Sequence, residues 1–542
     1  MLFRSMWNES ERNRVLSVHA LAAQGQLKAA ILAARTALAD GVVHPLLLNL
    51  VAIDLEEEGR YDDALETLNR ALTLAPDDFA CRNAKGLLLL RMERAEEALP
   101  EFDRVLQLDP SLPFAHVNRG NALKMMGALG AGEVAYQRAL AIDPGDPMAL
   151  AGLAAVTSAR GDYQRARVAA QMALQKRPAL VDAVFALAAA DIASGDLPAA
   201  EKAMEAVLSD ASFDDEVRAQ ALTMQGDIKD STGNYAAAFA SYTHANQLLR
   251  ERHRATYAPS LSANGYVHRL IETLDKTNAA QWATAKRDGA AVGHVFLIGF
   301  PRSGTTLLEV ILTGSPQVAS LEEKESLIDG VRRYLRDPSN LDDLISASED
   351  ELEHYRDAYW DSVLAQGVDL AGKVFVDKYP LNTLKLPLIA KLFPDAKIIF
   401  AVRDPRDVVL SCYRRRFRMS APMYEFLSLD SAANYYNAVM HLADRCLKLS
   451  GMSVLEVRHE DLVANFEGQM DAVCRFIGLQ WSQVMADFAG RAKVRPYATP
   501  STAQIAGGLS RRTVQHWRNY DAELGAISQL LSYWVERFHY EK

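Results

Sequence analysis

From about residue 10 to residue 250, apolar side chains recur every three to four positions, in runs rich in alanine and leucine. That spacing predicts a succession of amphipathic helices. The breaks between them are periodic too. Prolines stand at Pro76, Pro110, Pro144 and Pro178, each 34 residues after the last, and Gly25, Gly59, Gly127, Gly161 and Gly195 fall on a grid of the same period. Glu93 takes the one grid point without glycine, and Gly233 comes four residues late, which places a small insertion near Ser209 to Asp215. Each unit reads as an apolar helix, a turn such as Gly161-Asp-Tyr163, an alanine-rich helix and a proline. Glycine closes the first helix in a left-handed cap and proline stops the second.

After residue 250 the pattern changes. Residues 251–290 are more polar, with one helical stretch through Ile271 and Leu274, and read as a helical linker. From 291 onward short apolar runs alternate with turns and helical patterns, which predicts an α/β domain with a parallel sheet. Val295–Ile298 is the first strand, Lys373–Pro380 the second, with Asp377 and Lys378 at its end, Ala396–Arg403 the third and Met452–Arg458 the fourth. Residues 329–370 are helical and acidic and read as a cap over the site. The predicted domains are therefore a repeat array over 1–250, a linker over 251–290 and an α/β domain over 291–542.

The chemistry gathers at strand ends. Phe300-Pro-Arg-Ser-Gly-Thr-Thr306 cannot continue its strand, and Leu307, Leu308, Ile311 and Leu312 then resume at helical spacing. A strand, a Gly/Ser/Thr turn and a helix N-terminus form an anion cradle of backbone N–H groups. An ordinary βα turn has the same outline. The loop is not a Walker A sequence, because no lysine follows Gly304. The third strand ends on Arg403 and repeats the logic with a turn at Pro405 and a helix, where Ser411 and Arg415 are four apart on one face. Arginine suits a phosphate because its planar fork binds two oxygens at once. Glu322 and Glu323 follow the loop helix, Lys378 closes the second strand, and His459 opens the segment after the fourth. No second histidine stands at ligand spacing from His459, so no metal site is expected.

Composition narrows the field. The chain has 542 residues, 49% of them hydrophobic and 24% charged, with a formal net charge of −10. Such a balance fits a multidomain globular protein and argues against nucleic-acid or membrane-surface binding by the molecule as a whole. The four cysteines are scattered, which fits a reducing compartment. With no long apolar stretch and no leader-like N-terminus, a cytoplasmic protein without a membrane span is expected.

The array resembles the tetratricopeptide repeat, with seven countable units. The second half resembles the sulfotransferases that use 3′-phosphoadenosine 5′-phosphosulfate (PAPS). It is most similar to bacterial members with an N-terminal tetratricopeptide array, and more distantly to tyrosylprotein sulfotransferases. The resemblance implies that Arg302, Ser303, Gly304, Thr305 and Thr306 hold the 5′-phosphosulfate, and that Arg403, Ser411 and Arg415 hold the 3′-phosphate. It implies Glu323 as catalytic base, with Lys378 and Ser501 stabilising the transferring group. His459 and Gln504 belong to the nucleotide site, and Gln504 to Leu509 form a loop closing over it. The chain departs from the family pattern at His459, where tyrosine is common, at His516, where a cation usually precedes the tail tryptophan, and at Lys324.

The expected activity is sulfuryl transfer from PAPS, without a metal, to an acceptor protein, peptide or small hydroxyl compound. The array would recruit that acceptor or another protein partner, and a fragment of residues 255–542, if it folds, would keep nucleotide binding. Two other readings remain at this stage: an inactive nucleotide-binding adaptor, and a P-loop kinase.

Overall fold

The computed structural model describes residues 9–257, 262–282, 291–494, 505, 508–509 and 513–541. The chain divides into two compact units, Met1–Ser194 and Gly195–Lys542.

The first unit is a solenoid of antiparallel helices, from Glu9–Ala23 to Val181–Ser194. Small side chains let paired helices close: Ala30, Ala34, Ala64 and Ala71 are fully buried. At Gly86 an added Cβ would lie 2.5 Å from the Phe102 ring, so that contact requires glycine. The glycine grid marks left-handed caps, with φ near +76° at both Gly59 and Gly127, and Glu93 holds its own grid point at φ +59°. A β-carbon makes that conformation costly for glutamate.

The repeat pattern runs on into the second unit through helices Leu197–Ser209, Asp215–Ser231 and Tyr235–His253. The four-residue delay of Gly233 is taken up inside a helix: Asp215–Ser231 spans 17 residues where Pro147–Ala159 spans 13. Helix Ala263–Leu274, in the stretch read as linker, buries Val267, Leu270 and Leu274 in the same core as the sheet.

The sheet has five parallel strands: β1 (Gly293–Gly299), β2 (Val318–Leu321), β3 (Val374–Lys378), β4 (Lys397–Val402) and β5 (Val454–Arg458), in the order β2-β3-β1-β4-β5. Both faces are covered, as parallel sheets require. Phe296, Ile298, Phe375 and Ile398 enter one core, and Val295, Leu297, Val376 and Ile399 the other. The connections leaving β1 and β4 diverge to opposite sides, so a crevice opens at the carboxyl ends of these two neighbours.

Two sequence expectations change. Strand β2 was not foreseen, since four residues including a serine carry too little pattern. The acidic stretch over 329–370 is not a cap: its helix Glu349–Ala365 lies on a sheet face, with Tyr359 packed on His294 and Phe393. None of its described residues lines the crevice.

Candidate functional site

β1 ends where Gly299 lies too close to β4 for any side chain, an added Cβ falling 2.6 Å from the Ala401 carbonyl oxygen. The chain then turns, and the Ser303 N–H donates to the Phe300 carbonyl at 3.1 Å. Arg302 (φ +73°) and Gly304 (φ +100°) both sit in left-handed conformations. For Arg302 that is backbone strain of the kind concentrated at functional sites. Helix Thr305–Leu312 starts at once, so its first N–H groups point out of the helix end toward the crevice. Behind the loop, the Cys412 thiol reaches the Pro301 carbonyl at 3.6 Å and is fully buried.

A single cleft brings together Arg302, Gly304, Thr305, Thr306, Glu323, Arg403 and His459. Buried Ser303 lies in the turn beneath it. The Arg302 Nε donates to Ser411 Oγ at 3.0 Å, and Arg403 donates to the Arg302 carbonyl at 3.3 Å. Burial, and then the charge of Arg415, bring the Arg302 guanidinium down to about 10. Burial first, then Arg403 and Arg302, hold the His459 imidazole at about 3, so it is neutral at pH 7. Arg403 Nε and His459 Nδ1 are buried without a hydrogen-bond partner among the described residues. An added Cβ on Gly304 would sit 3.1 Å from that same Nδ1. Clustered arginines, an unpartnered buried guanidinium N–H and a loop open only to glycine fit a polyanionic ligand.

At the other end of the cleft, Lys378 is completely buried between two carboxylates, 2.8 Å from Glu323 Oε1 and 3.1 Å from Glu309 Oε2. Burial works against its charge, but Glu309 and Glu323 outweigh that and hold its pKa above the usual lysine value. Glu323 keeps 35% of its side chain exposed, whereas Glu309 keeps none. Glu322 turns into a separate groove with Ser320 and Lys324. Tyr379, Leu381, Phe417 and Met423 add an apolar part to the lining of the cleft.

Arg415 is placed differently from its neighbours. The helix Pro405–Tyr413 ends before it, so the four-residue step from Ser411 is not a helical one. Its guanidinium pairs with Asp227 Oδ2 at 3.0 Å. Ser501 and Gln504 lie outside the described residues; Ile505, Gly508, Leu509 and Thr513 line the cleft. His516 Nε2 lies 3.0 Å from Asp230.

Sequence reasoning missed Glu309, although its signal was present: it is the lone charge in Leu307-Leu-Glu-Val-Ile-Leu312. It also missed Asp407, whose carboxylate accepts the Gln515 and Trp517 N–H groups, each at 2.8 Å, and so anchors the tail. Among the described residues, no group of three or more His, Cys, Asp or Glu is placed to hold a metal.

Comparison with known proteins bears on this geometry. Residues 294–483 match a model described as the sulfotransferase family, and residues 16–79, 50–113 and 83–147 match a tetratricopeptide repeat model. The chain joins a sulfotransferase-family domain to tetratricopeptide repeats. Protein-tyrosine sulfotransferase 2 of Gallus gallus is 26% identical over 197 residues, covering 35% of this chain and 52% of that protein. Protein-tyrosine sulfotransferase 1 of Danio rerio is 27% identical over 198 residues, covering 35% and 54%. An uncharacterized protein of Aquifex aeolicus is 25% identical over 338 residues, covering 61% and 43%. The chain thus spans about half the length of the curated relatives it matches. Among solved structures, a tetratricopeptide repeat protein from Parabacteroides merdae aligns with a TM-score of 0.36 at 18% identity, covering 44% of this chain and 94% of that one. The Pro301–Thr306 loop, Lys378 and Arg403 all fall inside the residues matched by the sulfotransferase-family model, whereas Ile505, Gly508, Leu509 and Thr513 of the crevice lie beyond them. No helix among the described residues is long and apolar enough to cross a membrane.

Proposed function

We propose that the protein transfers a sulfuryl group from PAPS to a hydroxyl acceptor. The observation that carries this reading is the meeting, in one cleft, of the Pro301–Thr306 loop and Arg403 with the Glu323–Lys378 pair. Residues Arg302 to Thr306 hold the 5′-phosphosulfate by backbone N–H groups, hydroxyls and one guanidinium. Arg403, Ser411 and Arg415 serve the 3′-phosphate, with neutral His459 as a further polar contact and Gln504 in the loop that closes over the nucleotide. PAPS supplies the activated sulfuryl group. Glu323 takes the acceptor's hydroxyl proton, as a general base within reach of the cleft. Lys378, and Ser501 beyond the described residues, stabilise the negative charge that develops on the leaving phosphate. Positioning and fixed charge are sufficient for this chemistry, and no metal is assigned a role.

The acceptor in this reading is a protein or peptide hydroxyl, tyrosine foremost. The apolar lining at Tyr379, Leu381, Phe417 and Met423 suits an aromatic ring, and relatives are named protein-tyrosine sulfotransferases. The repeats recruit that acceptor. A reducing, cytoplasmic setting fits four buried, unpaired cysteines.

Calorimetry with 3′-phosphoadenosine 5′-phosphate (PAP) tests the nucleotide. Arg403→Ala should cost roughly 2–5 kcal/mol of binding; unchanged affinity sinks the assignment. Incubation with labelled PAPS and tyrosine-containing peptides tests the reaction, and a protein that binds PAP but labels nothing is a binder and not a transferase.

A further inference from the structure

Three consecutive arginines follow the helix that leaves β4, and each meets a partner from one stripe of helix Asp215–Ser231. Arg416 pairs with Glu216 and donates to Gln220, Arg415 pairs with Asp227, and Arg414 pairs with Asp230 at 2.8 Å. Positions 216, 220, 227 and 230 share one helix face. The same helix holds the tail, since Tyr520 and His516 both reach Asp230 Oδ1. From there the tail runs back to Thr513, whose carbonyl accepts from Arg403 in the cleft.

The three arginines differ in what they leave free. Arg414 is 11% exposed, and its guanidinium lies over the rings of Tyr242 and Tyr520, as a packed structural group does. Arg415 is 32% exposed and, among the described residues, is held through one nitrogen by Asp227. Asp227 is itself aimed by the Tyr242 hydroxyl, which donates to its other oxygen at 2.8 Å. Four residues earlier in the chain, Ser411 accepts from Arg302 of the anion loop. Arg415 in turn acts through its charge on Arg302, so it stands between the anion loop and the last repeat.

We propose that Asp227 is a positioning residue of the nucleotide site: it fixes Arg415 by one guanidinium nitrogen, beyond the point where the helix does so, and leaves the remaining N–H groups for the 3′-phosphate. This rests on the cleft being a PAP(S) site. The last repeat is then part of the donor site as well as part of the array. An arginine freed from Asp227 must be ordered again each time the nucleotide binds, and ordering one such side chain corresponds to about a 3- to 10-fold loss of affinity.

The test compares PAP with AMP, which lacks the 3′-phosphate, by calorimetry on the full-length protein. Asp227→Asn should weaken PAP binding about 3- to 10-fold and leave AMP affinity in place, Asp227→Glu should restore most of the loss, and Asp227→Asn should add nothing once Arg415→Gln is present. PAP affinity that is unchanged or higher in Asp227→Asn overturns the proposal. So does a loss shared equally by AMP, which marks a merely structural role. Should Asp227→Asn fail to fold, Arg415→Gln, at a partly exposed position, decides: it must lower the preference for PAP over AMP, or the proposal falls. If Arg302→Ala and Arg403→Ala also leave PAP binding intact, what has failed is the reading of the cleft itself.

Discussion

Lys378 and Glu309 face each other across 3.1 Å, and neither side chain has any exposure to solvent. Burial pushes the Glu309 carboxyl up, and Lys378 and Ser320 oppose that push. Removing the lysine alone strands a carboxylate in the core. Lys378→Met should therefore destabilise the protein by roughly 3–5 kcal/mol in urea unfolding, and Glu309→Gln added to it should recover much of the loss. A Lys378→Met protein as stable as the wild type would mean that the pair is not buried as described.

The two adjacent glutamates are separable. Glu323 lines the cleft beside Lys378, and Glu322 lines a different groove. Glu323→Gln should lower sulfuryl transfer about 10²- to 10⁴-fold with PAP affinity kept, while Glu322→Gln stays near wild type. The reverse pattern in steady-state kinetics would assign the base to Glu322.

Asp377, beside Lys378, accepts hydrogen bonds from Tyr359 and Asn382 at 2.9 and 3.1 Å. Burial raises its carboxyl to about 7 despite these donors. The folded chain thus holds a proton that the unfolded chain releases near pH 4. This group's contribution to stability is complete below that pH and is lost as pH rises through about 7. The gap corresponds to roughly 4 kcal/mol at most. Denaturation midpoints of Asp377→Asn should fall less between pH 5 and pH 8 than those of the wild type, and parallel curves would refute the assignment.

Glu93 keeps a left-handed cap that glycine keeps in the neighbouring repeats. Glu93→Gly relieves that strain, though it also loosens the unfolded chain, and should stabilise the first unit by about 0.5–1 kcal/mol. A lower melting temperature for Glu93→Gly would show that the side chain's own contacts outweigh the backbone strain.

A cut at residue 255 removes helices that complete the second unit. Leu249 and Ala245 pack with Leu427, and Tyr242 packs with Tyr413. That packing predicts a different outcome for the cut than the sequence alone does: residues 255–542 should aggregate or lose PAP binding, whereas 195–542 should stay soluble and bind. Equal binding by both fragments would count against this.

The array could be read in the sequence because its information is local: every 34 residues the same cap, small-residue contact and helix stop recur. The crevice could be read for a related reason. The loops after β1 and β4 carry Arg302 and Arg403 within a few positions of a strand end, and parallel pairing brings those ends together. What could not be read is long-range. Arg415 meets Asp227 at a separation of 188 residues, and nothing near either one announces the other. Helix length misled as well, because Pro405–Tyr413 stops before the Ser411-to-Arg415 step is complete. Strand β2 was too short for its period to register, yet it sets the position of Glu323.

Cys412 gives the anion loop a natural gauge. Its thiol is sealed behind Pro301, and burial pushes its pKa up to about 12, so a disulfide-exchange reagent can reach it only when the loop lifts. The rate at which that one sulfur is labelled therefore measures how often the empty cradle opens, and the slowing of that rate by PAP would report how firmly the nucleotide shuts it.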